Sequence, residues 1–179
     1  MTIAVMQQPI WPGLAVDADP AGSDEAYTPA WLIEAARTVL GGIDLDPASC
    51  ARAQAVVKAG TWYGEADNGL AQHWCGRMWC NPPYSDPDPW VEKALAHWLA
   101  GDVSAALLLV RGDPSTEYSR MLGHSPALMC MLKRVDFWPR RINPKTGKPS
   151  SPNFPVLLWY LGGDAARFRS VFERFGPIR

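Results

Sequence analysis

Residues 79–86, Trp-Cys-Asn-Pro-Pro-Tyr-Ser-Asp, set a primary amide, two prolines and a phenol side by side at the end of an apolar run. Each proline lacks an N–H and locks its φ, so the pair cannot sit inside a helix or a central strand. It can end a strand and leave rigid carbonyls pointing into a cleft. A carboxamide oxygen beside such a carbonyl makes a planar pair of acceptors. That pair suits an exocyclic amino group, which has two hydrogens to donate. The neighbouring tyrosine offers a face on which a flat base can stack. Asn81, Pro82, Pro83 and Tyr84 are therefore the candidate catalytic residues, and their chemistry is the capture of an aromatic amine.

The flanking sequence must supply strands whose ends open onto one edge. Thr28-Pro29 reads as an N-cap followed by proline at the first helical position. Trp31, Leu32, Ala35, Ala36, Val39 and Leu40 then recur at helical spacing up to Gly41-Gly42. Residues 43–49 predict a short strand stopped at Pro47, and 49–60 a helix started by Ser49 and ended by Gly60. The run 77–80 is the strand that feeds the proline turn, and 88–102 is an amphipathic helix closed by Gly101. Residues 103–111 form an unbroken apolar run, as strands buried on both faces do. A short helix near 115–123, strands within 127–139 and 154–162, and a helix over 164–176 complete the chain. Alternating strands and helices followed by a strand pair predict an α/β sheet with helices on both faces. In such sheets ligands bind beyond the carboxyl ends of the strands, where Asp46-Pro47 and Asn81-Pro82 both lie.

The 179 residues, 47% hydrophobic and 20% charged, suit one soluble domain over 25–179 preceded by a loose arm over 1–24. No run reaches the length of a membrane span and no leader pattern opens the chain, so a cytoplasmic location is expected. Cys50, Cys75, Cys80 and Cys130 match neither a disulfide framework nor a zinc template, even with His73 nearby, and no metal is expected. The net charge of −1 is unevenly spread. Up to residue 110 there are 5 Lys and Arg against 13 Asp and Glu, and from Arg111 onward 12 against 5. A basic C-terminal part suits a phosphate backbone, although the halves could also simply neutralise one another.

The ordered set YTPAWL, IDLDPAS, ADNGL, WCNPPYSD and a closing strand pair resembles the phage-type DNA N-6-adenine methyltransferases over most of residues 25–160. The resemblance implies a Rossmann-like methyltransferase fold: a mostly parallel central sheet, helices on both faces and a C-terminal β-hairpin. It implies S-adenosylmethionine as cofactor and adenine N6 in duplex DNA as acceptor, within the host cytoplasm if the gene is a phage's. Asn81 and Pro82 would accept hydrogen bonds from the adenine amine, and Tyr84 would stack on the base. Thr28 with Pro29, Asp46 with Pro47, and Asp67 would bind the cofactor. Each has an ordinary reading too: Thr28 as an N-cap, Asp46 as a turn cap before Pro47, and Asp67 as a turn residue before Asn68-Gly69. The glycine-rich GxG that many methyltransferases carry after the first strand is absent from DLDPASCARA.

An adenine amine inside a duplex is out of reach, so the base would have to be flipped. Arg140, Arg141, Lys145 and Lys148 lie on one loop bracketed by Trp138 and Phe154, and could hold phosphates. Phe154 would stack on the base from the other side, or belong to the core. The competing readings are methyl transfer to RNA adenine, cytosine or a protein amide, and a nucleic-acid-binding module without cofactor. Oligomeric state and recognition sequence are not written in the chain.

Overall fold

The computed structural model describes residues 26–137, 141–142, 149–150 and 154–179. The elements run α1 (Ala30–Leu40), β1 (Leu45–Asp46), α2 (Ala51–Val57), β2 (Thr61–Trp62), two 3-10 turns (Glu65–Asp67 and Gly69–Ala71), β3 (Gly76–Cys80) and α3 (Asp88–Ala100). They continue with β4 (Val103–Arg111), α4 (Glu117–His124), β5 (Leu128–Met131), β6 (Arg141–Ile142), β7 (Pro149–Ser150), β8 (Val156–Leu161) and α5 (Ala165–Phe172). Six strands form one sheet in the order β2-β1-β3-β4-β8-β5. β1 pairs in parallel with β2 and β3, β3 in parallel with β4, and β8 is antiparallel to both β4 and β5. The fold is therefore α/β with a mostly parallel sheet and a C-terminal antiparallel strand pair, as a Rossmann-like methyltransferase fold requires. No helix among the described residues is long and apolar enough to cross a membrane.

Strand alternation sends side chains to two cores. Trp79, Leu107, Leu109, Leu158 and Tyr160 pack with Leu32, Ile33 and Ala36 of α1 and with Phe168 and Phe172 of α5. Met78, Cys80, Leu108 and Val110 pack with Val91 and Ala94 of α3 and with Tyr118 and Leu122 of α4. Cys80 and Cys130 are buried free thiols, Cys75 is exposed and Cys50 partly buried. Burial pushes the Cys80 thiol far up, so it stays neutral and packs as a small apolar group.

Several boundaries differ from those expected. Helix α1 starts at Ala30, with Pro29 rather than Thr28 at the N-cap and no side chain capping it. Cys50, not Ser49, caps α2 by accepting from Ala53 N–H. That helix ends at Val57, where Lys58 rather than Gly60 takes the left-handed position at φ 49°. Arg37 explains the early stop. Its guanidinium donates to the Val57 carbonyl at 2.8 Å and the Val56 carbonyl at 3.3 Å, satisfying the open end of the helix. Arg37→Met is therefore expected to cost about 1–2 kcal/mol, read as a melting temperature lower by a few degrees.

The strand expected over 127–139 is cut to four residues. After Met131 the chain leaves the sheet to bury Leu132, Val135 and Phe137 against the α1/α5 core. The edge of β5 is covered instead by the C-terminus, since Met129, Met131 and Lys133 N–H donate to the carbonyls of Arg179, Pro177 and Phe175. Within the expected basic loop, β6 and β7 pair in antiparallel fashion. Trp138, Arg140, Lys145 and Lys148, like the arm over 1–24, lie outside the described residues, and of Arg141 only the backbone is described.

Candidate active site

Strand order reverses between β1, which leads outward to β2, and β3, which leads toward β4. Crevices at such a reversal are where open α/β sheets hold ligands. Asp46 ends β1 and Asn81 follows β3, on neighbouring parallel strands. Between them opens a cleft of about 530 Å³, whose walls include Thr28, Asp46, Pro47, Glu65, Asn81 and Pro82. That size is within the range of small-molecule sites. Among the described residues, the buried polar side chains are Thr28 and Asp46, at 6% and 2% exposure, and both line this cleft.

The proline turn holds Asn81 in one sense. Its Nδ2 donates to the Ala26 carbonyl at 2.8 Å, which assigns the amide orientation. Its Oδ1 is then a buried acceptor without a protein partner. Ala26 precedes the YTP segment, so the chain leading into α1 orients the amide that follows β3.

Asp46 is the second unusual acceptor. One carboxylate oxygen accepts from Gln54 Nε2 at 2.9 Å, while Oδ1 is buried and unpartnered. Burial pushes the carboxyl up to about 7, although hydrogen bonds from Ser49, the Ala48 N–H and Gln54 pull the other way. The Ala48 N–H and Ser49 contacts are those of a turn cap around Pro47, and they leave Oδ1 without a partner. Thr28, displaced from its expected capping role, is a cleft wall.

Asp67 and Pro29 are not among the walls. The Asp67 carboxylate accepts from Gly64 N–H at 2.8 Å and closes its own 3-10 turn, while Glu65 and Asn68 face the cleft. Sequence reasoning passed over Glu65. Its signal was an acid about twenty residues beyond the first strand, at the end of a second, where nucleotide folds place the acid that binds a ribose. Gly69 also lines the cleft, and a Cβ there would collide with the Pro47 carbonyl oxygen. The glycine of ADNGL thus lets its own turn pack closely against the chain that leaves β1 at Pro47.

On the far side of the proline turn, a second hollow of about 260 Å³ is lined by Tyr84, Asp86, Arg111, Asp113 and Tyr118. Phe154 meets Tyr84 edge to face, with centroids 5.4 Å apart and planes at 83°, and Phe137 meets it likewise at 6.0 Å. The Arg111 guanidinium lies 4.5 Å above the Phe154 ring. Phe154 therefore packs edge-on against Tyr84, and both rings rest against the core that contains Phe137. A base between two faces needs parallel rings about 7 Å apart, however, so one ring must turn to admit it. The Tyr84 hydroxyl is buried without a partner, and burial pushes its pKa well up, so it stays protonated. Asp113 binds the Ser115 hydroxyl and N–H, which hold its carboxyl below the usual range and commit it to the turn.

The family profile of DNA N-6-adenine-methyltransferase (Dam) matches residues 18–162. The chain belongs to the Dam family. The match spans both hollows, the proline turn and Phe154, and it points to DNA adenine methylation at N6. No curated protein matches the chain. Within this Dam-family fold, Asn81 lines the larger hollow and Tyr84, three residues on, lines the smaller.

Proposed function

We propose that this protein transfers a methyl group from S-adenosylmethionine to the N6 amine of an adenine flipped out of DNA. The observation that carries this reading is the buried, unpartnered Asn81 Oδ1 on a cleft where Asp46 Oδ1 is also unpartnered. The cofactor is a cation, with ammonium and sulfonium charges against one carboxylate. Asp46 and Glu65 are the charged side chains among the cleft walls, so the donor set fits it. Asp46 and Thr28 would hold its amino-acid end and Glu65 its ribose. When bound, the cofactor would supply an electrophilic methyl on positively charged sulfur, and the methylated amine would release one proton to solvent.

The protein's part is placement. The amine of adenine is a poor nucleophile because its lone pair is delocalised into the ring. Asn81 Oδ1 and the Pro82 carbonyl accept its two N–H groups, draw the nitrogen toward tetrahedral geometry and localise the pair. No strong base is needed first, and much of the rate comes from orientation. Tyr84 and Phe154 would stack on the flipped base. The basic stretch Arg140, Arg141, Lys145 and Lys148, with Trp138, would grip phosphates and help offset the few kcal/mol that flipping costs. Phe154→Ala is expected to lower kcat/KM for DNA about tenfold, the worth of one stacking contact, with cofactor affinity unchanged in calorimetry.

The test is transfer from methyl-labelled S-adenosylmethionine to unmethylated duplex DNA, followed by digestion to nucleosides. Label in N6-methyladenine supports the reading. Label found only in RNA would move the acceptor, and no transfer to either nucleic acid would overturn the reading.

A further inference from the structure

At the opposite edge of the sheet, three metal-ligating side chains from three segments converge. His73 lies in the loop before β3, His97 in the last turn of α3, and Asp102 in the turn between α3 and β4. His97 Nδ1 is 3.0 Å and His73 Nε2 is 3.9 Å from the same Asp102 oxygen, and all three donor atoms lie within 4.8 Å of one another. Donors about 2.1 Å from one zinc ion sit roughly 3.0–3.4 Å apart, in octahedral or tetrahedral arrangement. One pair therefore already has this spacing. The rest is closed by a shift of His73, the most exposed of the three at 61%.

The other two ligands are held in advance. Asp102 N–H donates to the His97 carbonyl at 3.0 Å, and Gly76 N–H to the Asp102 carbonyl at 2.9 Å. The His97 ring stacks on buried Trp74 at 6.1 Å and touches the His73 ring at 5.1 Å. Cys75, two residues from His73, is outside the cluster. We propose that His73, His97 and Asp102 bind one divalent transition-metal ion, with solvent completing the coordination. Two imidazoles and a carboxylate favour zinc, cobalt or nickel over magnesium or calcium. The ion would clip the segment entering β3 to the turn entering β4. It would lie about one strand length, on the order of 17 Å, from Asn81, and so act on stability rather than on transfer.

Zinc titrated into the whole chain near pH 7.5 tests this by calorimetry and thermal melting. One ion per chain is expected, with a melting temperature raised by about 5 °C or more at hundredfold excess over Kd. His73→Ala should abolish both effects while leaving the metal-free melting temperature and the methyl-transfer rate nearly unchanged. Cys75→Ser should bind zinc as before. Absence of binding, its survival in His73→Ala, or its loss in Cys75→Ser (a thiol site instead) would each overturn the assignment.

Discussion

Asn81→Ala is expected to lower kcat for methyl transfer by a factor of about 10³ while leaving cofactor affinity within a few-fold of wild type. The variant removes one of two acceptors aimed at the reacting amine, and losing a single well-placed polar contact at a reaction centre costs about 10²–10³ in rate. It takes no charge and no large volume from the cofactor cleft, so binding there should persist. Asn81→Asp separates the two ends of the amide. A carboxylate still offers an acceptor oxygen, but its other oxygen faces the Ala26 carbonyl, where the native Nδ2 donates at 2.8 Å. The Asp variant should therefore fall between wild type and Ala in kcat and melt lower than either, because two buried acceptors are opposed. Single-turnover transfer, with cofactor affinity measured separately by calorimetry, reads both effects. Equal loss of rate and of cofactor affinity in Asn81→Ala would mean that the residue shapes the cleft and does not hold the amine.

The proline turn was legible because its residue types permit few conformations. Two consecutive prolines after an apolar strand must leave the sheet, and an amide before them must face whatever the strand end faces. Asp46 was legible for a similar reason, at the stop of a strand that Pro47 enforces. Glu65 was not, because β2 is only Thr61 and Trp62, both exposed, and carries no apolar alternation to announce a strand. Asp67 and Glu65 are two residues apart in one polar turn, and in the fold Asp67 accepts from Gly64 N–H while Glu65 lines the cleft. The pairing of residues 175–179 along β5 was equally hidden, because main-chain hydrogen bonds at a sheet edge need no particular side chains. The His73, His97 and Asp102 cluster spans thirty positions and exists only because α3 folds back onto the start of β3.

Asp46→Asn is expected to make the protein more stable and less able to bind its cofactor, with both effects depending on pH. The folded protein raises this carboxyl to about 7, whereas an unfolded chain leaves it near 3.8. A raised value means that the folded state holds the proton more tightly. The resulting stability is present in full below pH 4 and is lost as pH rises through 7. At pH 8 the buried charge costs on the order of 4 kcal/mol, which asparagine avoids. After allowing for weakened bonds to Ser49 and Gln54, a gain of about 2 kcal/mol remains, or about 4–8 °C in melting temperature. The gain should shrink as pH is lowered to 5, because wild-type Asp46 is then neutral as well. Affinity for S-adenosylmethionine should move oppositely. A charge-assisted hydrogen bond is worth about 1.5–3 kcal/mol, so at pH 8 the variant should bind at least tenfold more weakly. Wild-type affinity should decline as pH falls below 7, and the variant's should stay flat. Calorimetric melting and cofactor titration across pH 5–8 measure both halves. A variant that binds like wild type would remove Asp46 from the cofactor site. Stabilisation coupled to lost affinity would instead explain why the fold keeps an unpartnered carboxylate oxygen buried at its switch point: the group is left short of partners for the cation that supplies one.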